Sequence, residues 1–246
     1  MSAPLVLLAG AAELPRDDEW LSPAERAILH RSRVPKRRQD FRLGRWAAKR
    51  VLALLYGDEE MLAAGRFEIR PARGGAPVPY RDGAPLEATL SISHSGSCAV
   101  AAIQRGEGRL GCDLERIEER SHAFVGDYFT AAEQAFAEAG PHGGRRATLV
   151  WSAKEAVMKA LGEGLRLPPP TVEVVPDLHF VTRAGWRRFA VAAPPAAREL
   201  RGFWRDAGEF LLTAAASEEP RLVAGTLRPA PEAARPSLSS LAGPRL

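Results

Sequence analysis

The chain has 246 residues, of which 46% are apolar and 26% charged, and its formal net charge is +4. These fractions are close to those of ordinary globular proteins and exclude a fibrous or largely disordered chain. The length allows one large domain or two packed halves, and the mild positive charge is compatible with an anionic partner without requiring one.

The first segment, PLVLLAGAAEL, is apolar but too short to cross a bilayer, and no basic leader precedes it. We expect a first strand and not a signal peptide, and we expect no membrane partner. Cys98 and Cys112 lie in apolar segments without metal-type spacing. They are expected to be small buried thiols in a reducing cytoplasm.

Residues 22–56 begin with Ser-Pro and an acidic first turn and are interrupted near Pro35, which predicts two helices. The second is dense enough in basic side chains to bind phosphates. Lysine is rare in this arginine-rich chain and occurs only at Lys36, Lys49, Lys154 and Lys159. Because a guanidinium does not give up its proton, the retained lysines indicate a need for a compact charge or a transferable proton.

Short apolar runs separated by Gly and Pro follow and predict an antiparallel meander. Along one of these strands, Leu90 and Ile92 point to one face, and Ser91 and Ser93 point to the other. The predicted strands here are 67–72, 88–95, 98–104 and 109–116, with 73–85 as a loop.

Further predicted elements are helices at about 123–139 and 146–161 and strands at 171–175, 186–193 and 209–217. The order helix pair, strands, helix pair, strands predicts an α+β fold of two similar halves. Their predicted ranges are 1–108 and 109–225, with residues 226–246 as a flexible tail because they lack apolar bulk.

Two carboxylates on one predicted strand are candidate metal ligands. Asp113 and Glu115 are two residues apart, so both side chains leave the same face and can hold one cation. Such oxygen ligands suit Mg²⁺. Taken alone, the pair is more often a solvated strand face.

In WSAKEAVMKALGEGL, Trp151, Glu155 and Lys159 are spaced i, i+4 and i+8 along one helix face. The structural interpretation is a Glu155–Lys159 salt bridge with Trp151 in the core. The functional interpretation makes Glu155 a third metal ligand and Lys159 a stabiliser of developing charge. The segment alone leaves both open.

His94 lies in SISHSG, where a strand opens into a Ser/Gly turn that can offer backbone N–H groups and hydroxyls to phosphate. A structural hydrogen-bonding role is the alternative. The chain has no Gly-x-Ser-x-Gly elbow and no glycine-rich P-loop, which argues against Ser-His-Asp catalysis and P-loop nucleotide chemistry.

Together, SISHSG, GCDLE, FTAAEQAFAEA and WSAKEAVMKALGEGL, in this order, resemble the Sfp-type 4′-phosphopantetheinyl transferases, in the branch with tryptophan before KEA. The resemblance covers about residues 21–217. It implies two pseudo-symmetric α+β halves with the active site in the cleft between them. It also implies a Mg²⁺-dependent enzyme that moves the phosphopantetheine arm of coenzyme A to a serine of an apo acyl, peptidyl or aryl carrier protein.

The resemblance also implies roles for individual residues. The metal ligands would be Asp113, Glu115 and Glu155, and the catalytic groups Asp113, Glu155 and Lys159, with Lys159 facing the pyrophosphate. Arg45 would bind the 3′-phosphate end of coenzyme A, Ser93 and His94 would contact its phosphates, and Glu133 would lie near the reaction centre. Ala76 stands where the family usually has a lysine, and Arg73 is the candidate replacement.

We expect a cytoplasmic monomer whose carrier partner presents an acidic helix beside its target serine. The segment FVGDYFT contains a candidate docking patch for this carrier, formed by Phe124, Val125, Tyr128 and Phe129. The alternative interpretation is that most of these side chains belong to the core.

Two other functions remain open. A non-catalytic module that binds coenzyme A or another nucleotide would need the phosphate contacts but not the three carboxylates. A nucleic-acid-binding protein ranks last, since no base-reading motif accompanies the basic helix.

Overall fold

A computed structural model describes residues 3–139 and 142–223. The tail predicted at 226–246 lies outside these ranges. The described helices are α1 Pro23–Arg31, α2 Pro35–Tyr56, α3 Glu59–Ala63, α4 His122–Tyr128, α5 Ala131–Glu138 and α6 Gly143–Ala160. The described strands are β1 Leu5–Gly10, β2 Phe67–Pro71, β3 Pro77–Arg81, β4 Ala84–Pro85, β5 Ala88–Ser95, β6 Cys98–Arg105, β7 Leu110–Arg116, β8 Glu173–Val181, β9 Arg187–Ala193, β10 Arg201–Ala207, β11 Phe210–Ala216 and β12 Arg221–Val223. Within the described residues, no helix is long and apolar enough to span a bilayer.

The first sheet has the strand order β12-β1-β6-β5 and carries helix α2 on its outer face. Alternate side chains of β1 and β6, such as Leu7 and Ala101, pack against α2 residues such as Val51. Helix α2 ends where Gly57 adopts a left-handed conformation with φ 68°. The edge strand β12 comes from the far end of the described chain and pairs parallel with β1.

The second sheet has the order β7-β11-β10-β9-β8, all antiparallel, and carries α6 on its outer face. The inner faces of the two sheets pack against each other through a shared core, in which Val6 and Val100 face Leu212 and Trp186. The layers therefore run α2, first sheet, second sheet, α6. The predicted α+β class is confirmed, and a small sheet β2-β3-β4 completes it.

Each half contains a buried lysine–glutamate pair built in the same way. Glu25 caps α1 in a Ser-x-x-Glu box, Lys49 of α2 lies 2.5 Å from it, and its other oxygen accepts from the Ile69 backbone N–H at 3.0 Å.

In the second half, Glu133 caps α5 in a Thr-x-x-Glu box, Lys154 of α6 lies 2.5 Å from it, and the Val174 N–H donates to it at 2.9 Å. The lysines belong to matching segments, WAAKR and WSAKE. The sequence and the contacts thus repeat together.

Several predicted elements differ from the structure. The predicted meander is right only for β5 and β6. Its first strand, β2, pairs with β3 in the small sheet, and its fourth strand, β7, pairs with β11 in the second sheet and not with β6. The helix predicted at 123–139 is two helices, since Thr130 adopts an extended conformation to cap α5. The predicted loop 73–85 contains β3 and β4, and β10 and α3 were not predicted.

Candidate active site

The candidate site lies where the edge strands of the two sheets, β5 and β7, run side by side. Serine hydroxyls make the connection in place of a backbone ladder. Ser91 Oγ accepts from the Cys112 N–H at 3.0 Å, and Ser95 Oγ accepts from the Arg116 N–H at 3.1 Å. The period of two in SISHS therefore aims every second side chain of β5 at β7, which confirms the predicted facing of Ser91.

Asp113 is the centre of this junction and is only 2% exposed. Ser93 donates to its Oδ1 at 2.7 Å, and Ser152 of α6 donates to its Oδ2 at 2.8 Å. The Lys159 ammonium lies 2.6 Å from Oδ1 and 3.0 Å from Ser93 Oγ. Buried carboxylates need such partners, and Asp113 obtains them from both halves.

Helix α6 reaches Asp113 because Gly111 of β7 lets it approach closely. A Cβ atom at Gly111 would lie 1.9 Å from the Ala156 carbonyl oxygen. The close approach brings Glu155 and Lys159 beside Asp113, and Glu155 Oε2 is 3.8 Å from the Lys159 ammonium. The Glu155–Lys159 salt bridge of the structural interpretation is therefore present, but Lys159 lies closer to Asp113. The functional interpretation stays a prediction.

Glu115, two residues along β7, has a different set of partners. Arg120 lies 3.1 Å from its Oε2, and the Trp151 indole N–H donates to its Oε1 at 3.2 Å. Trp151 is 9% exposed and packs edge-on against Phe124. The indole thus belongs to the core, as predicted, and also positions Glu115.

The three carboxylates and the lysine influence one another's proton affinity. Burial, followed by the charge of Asp113, raises the pKa of Glu115 to about 7 against the opposing effect of Arg120. Burial also raises the pKa of Glu155, which Lys159 partly offsets. Burial disfavours the charge of Lys159, but Asp113 and Glu155 outweigh it and raise its pKa. The site therefore concentrates carboxylates around one partly buried ammonium.

The donor chemistry fits a hard divalent cation, since Asp113, Glu115 and Glu155 offer three carboxylates from one strand and one helix. As the side chains stand, the described residues contain no group of three His, Cys, Asp or Glu arranged to hold a metal ion. Asp113 is engaged by Lys159, and Glu115 by Arg120. Binding a cation would require these ion pairs to rearrange.

A cavity of about 490 Å³ lies next to the site on the side of the first half. Arg45 and His94 both line it, and Arg45 stacks over Phe41 with its guanidinium carbon 4.5 Å from the ring centroid. Arg45 Nε is 3.5 Å from Glu25 Oε1, so the capping glutamate of α1 also orients this arginine. Burial lowers the pKa of Arg45, with Glu25 opposing the shift.

A second cavity, of about 260 Å³, lies between the halves and is lined by Lys159 and Ser91. Gly75, Pro77 and Ile92 line both cavities. The two cavities therefore meet at one wall, with the basic side chains of the first on one side and Lys159 on the other.

Two predicted positions lie elsewhere. Arg73 is exposed in the turn between β2 and β3, and the residues of that turn that line the two cavities begin at Gly74. Glu133 uses both carboxylate oxygens on Lys154, Thr130 and Val174. Its role is therefore structural, which corrects the expectation of an acidic group at the reaction centre.

The candidate docking patch is mostly core. Phe129 is 3% exposed, and Phe124 and Val125 pack against the core of the second half. Tyr128 is 37% exposed and contacts Trp151 at a ring-centroid distance of 5.3 Å. Of the four side chains, Tyr128 presents the most surface to a partner.

Sequence reasoning missed Ser152, Thr213 and Arg120 as members of the site. Thr213 Oγ1 lies 2.9 Å from Ser152 Oγ, which in turn holds Asp113. The position of Ser152, three residues before Glu155 on α6, was the available signal. For Thr213 the signal was missing, because it faces Asp113 only through the β7–β11 pairing.

The geometry and the comparisons with known proteins meet in the second half. Residues 109–204 match the model of the 4′-phosphopantetheinyl transferase superfamily. The matched segment contains Asp113, Glu115, Glu155 and Lys159. The superfamily-level prediction is thereby supported for this segment, while the Sfp-type branch stays a prediction.

Among solved structures, the chain is similar to a holo-[acyl-carrier-protein] synthase from Thermotoga maritima, with 19% identity and a TM-score of 0.35. The alignment covers 52% of this chain and 74% of that chain. We draw no functional conclusion from this likeness. A comparison with curated proteins finds no match.

Proposed function

We propose that this protein transfers the 4′-phosphopantetheine group of coenzyme A to a serine of an apo carrier protein and releases 3′,5′-ADP. The observation that carries the proposal is the Asp113–Ser93–Lys159 cluster beside Glu155, built at the junction of the two halves. Its Asp113, Glu155 and Lys159 lie inside the superfamily-matched segment 109–204. We further propose that residues 1–108 bind coenzyme A and that residues 109–225 carry the acidic cluster and receive the carrier.

The reaction is assigned to this chain's own groups as follows. Glu155 accepts the proton of the carrier serine hydroxyl, and the serine oxygen forms a bond to the β-phosphorus of coenzyme A. The bond from that phosphorus to the oxygen shared with the 3′,5′-ADP breaks, and Lys159 stabilises the charge that develops on the leaving phosphate. The raised pKa of Glu155 suits a group that takes up a proton.

Asp113, Glu115 and Glu155 would hold a Mg²⁺ ion. When bound there, the cation would neutralise charge on the diphosphate of coenzyme A. Arg45 and His94 would receive the 3′-phosphate end in the larger cavity. Ser93, which contacts Lys159 and follows Ile92 of the shared wall along β5, would meet the phosphates.

The carrier partner is proposed from the resemblance and from the chain's charge. The chain carries a net charge of +4, which suits an acidic partner helix. The exposed part of Tyr128, beside Trp151, lies close to Glu115 and is the proposed point of contact.

The test is intact-mass analysis of several apo carrier proteins incubated with the protein, coenzyme A and Mg²⁺. We expect at least one carrier to gain one phosphopantetheine group and to lose this gain when EDTA is added. Glu155→Gln should reduce the rate at least about a hundredfold, because it removes the general base, while coenzyme A still binds by calorimetry.

The matched control is Glu199→Gln, an exposed glutamate in the second half, which should transfer at the wild-type rate. Full activity of Glu155→Gln would refute the assignment of the base. Coenzyme A binding without a mass gain on any carrier would instead identify a non-catalytic binding module.

A further inference from the structure

One guanidinium spans the two halves above the second cavity. Arg166 lies in the single 3₁₀ turn Gly164–Arg166 that follows α6. Its Nη1 donates to the Gly74 carbonyl oxygen at 3.1 Å, and its Nη2 donates to the Gly162 carbonyl oxygen at 2.7 Å. Gly74 belongs to the first half and Gly162 to the second, so one side chain bridges both rims of the cavity.

The end of α6 directs Arg166 back over the cleft. Gly162 adopts a left-handed conformation with φ 78°, and the Glu163 N–H donates to the Met158 carbonyl oxygen at 3.2 Å. This arrangement reverses the chain immediately after the helix that carries Lys159. Arg166 therefore contacts Gly74 across the cavity that Lys159 lines.

The turn that Arg166 contacts is held together by its own backbone hydrogen bonds. The Ala72 N–H donates to the Ala76 carbonyl oxygen at 2.8 Å, and the Gly75 N–H donates to the Ala72 carbonyl oxygen at 2.9 Å. Gly75 and Pro77 line both cavities. A contact at Gly74 consequently fixes the whole wall between them.

We propose that Arg166 is a positioning residue that ties the turn 72–76 to the second half and so preforms the path between the two cavities. The inference rests on the proposed function in one respect: the ligand that spans the path is coenzyme A, bound near Arg45 and reacting near Lys159. Arg166 Nε lies 3.5 Å from Glu163, with both side chains more than half exposed. Its charge is thus shared with a carboxylate and with two carbonyl groups, which favours positioning over direct phosphate binding.

The test separates KM from kcat. Arg166→Met should raise KM for coenzyme A roughly three- to tenfold, since it removes two charge-assisted hydrogen bonds, and should leave kcat within about twofold. Arg166→Lys should give an intermediate KM because an ammonium can still reach a carbonyl group. Arg198→Met, at an exposed arginine that lines neither cavity, should match the wild type.

Gly74→Ala distinguishes positioning from direct phosphate binding. The added Cβ would lie 3.3 Å from Arg166 Nη2, so it crowds the guanidinium without removing its charge. If Arg166 positions the turn, Gly74→Ala raises KM as Arg166→Met does, and the double variant is no worse than Arg166→Met. A wild-type KM for Arg166→Met would overturn the proposal.

Hydrogen exchange of the free protein tests the tie independently of any activity. Amides 72–76 should exchange faster in Arg166→Met than in the wild type, without coenzyme A present. If the wild type neither binds nor transfers coenzyme A, the proposed function fails. The exchange result still shows whether Arg166 holds the turn 72–76. Unchanged exchange in a protein that transfers normally would refute the tie alone.

Discussion

At the residue scale, the two acidic side chains of β7 differ because their surroundings differ. Asp113 is buried among hydroxyl donors and the Lys159 ammonium, whereas Glu115 is only partly buried and lies beside the charge of Asp113. Two carboxylates on one strand face repel each other unless a cation lies between them. Together with burial, this repulsion raises the pKa of Glu115 to about 7.

The raised pKa of Glu115 predicts a pH-dependent stability. A carboxyl group whose folded pKa is above its unfolded value stabilises the fold most at low pH, and this contribution is lost as the pH rises from about 4.5 to about 7. Glu115→Gln removes this pH dependence. The difference in the free energy of unfolding between Glu115→Gln and the wild type should therefore be about 1 to 2 kcal/mol more in favour of the variant at pH 8 than at pH 5. The change is kept this small because Glu115 is partly solvated.

The measurement is urea unfolding in EDTA at a series of pH values between 5 and 8. The control is Glu118→Gln, which removes the other carboxylate that pairs with Arg120, at a side chain that is 54% exposed. A Glu115→Gln effect that does not vary with pH would contradict the assignment of the buried charge.

At the element scale, the contact between β7 and α6 decides where Glu155 and Lys159 lie. Gly111 faces the Ala156 carbonyl oxygen and the Ala160 backbone nitrogen, and an added Cβ would lie 1.9 Å and 2.7 Å from these atoms. Neither backbone group can move without moving the helix. Glycine at this position is therefore required by the close approach of α6.

Gly111→Ala should destabilise the protein by about 3 kcal/mol or more, as overpacking against backbone does. The remaining folded protein should transfer phosphopantetheine about a hundredfold more slowly, because displacement of α6 misplaces Glu155. Thermal unfolding and the carrier mass assay measure the two effects. The stability control is Gly126→Ala in α4, where a Cβ meets open space and should stabilise by up to about 1 kcal/mol. Equal stability of the two variants would contradict the packing argument.

The success of sequence reasoning at this scale follows from which interactions are local. Caps and periodicity predicted α1, α2 and α6, and the alternating serines predicted the facing of β5. The pairing partner of β7 is β11, which lies about a hundred residues later in the chain, and no local sequence pattern predicts that pairing. Strand β10 was missed because its segment, RGFWRDA, mixes charged and aromatic residues and shows no alternation of apolar and polar side chains. In the structure the sheet is covered on both faces, so the adjacent Phe203 and Trp204 are both buried.

At the scale of the whole molecule, the repeated lysine–glutamate pairs show how one architecture serves two different halves. In the first half, the residue after Lys49 is Arg50, which pairs with Glu13. In the second half, the residue after Lys154 is Glu155, which adds negative charge beside Asp113. In the first half, the residue after the buried lysine therefore neutralises a carboxylate, that of Glu13. In the second half, the corresponding residue adds the carboxylate of Glu155 to that of Asp113.

The buried pairs also predict how the molecule unfolds. Lys49 and Lys154 are fully buried, and removing either ammonium takes the nearest cationic partner from a buried carboxylate, which costs roughly 3 to 5 kcal/mol. The cost should be smaller at Lys49, because Arg45 stays 3.5 Å from Glu25. The two sheets share one core, in which Val100 and Leu212 belong to opposite halves. Neither half can lose its sheet without exposing the inner face of the other, so we expect Lys49→Met and Lys154→Met each to lower the melting temperature in one cooperative transition.

Calorimetry with circular dichroism and tryptophan fluorescence as second probes measures this behaviour. The control is Lys36→Met, whose side chain is 76% exposed and pairs with Asp40 on the surface, and it should change stability by less than about 1 kcal/mol. Two separate transitions in Lys49→Met, with the second at the wild-type temperature, would show that the halves fold independently. A single transition shared by all probes in both variants would instead mean that the sheet-to-sheet core couples the larger cavity of the first half to the acidic cluster of the second.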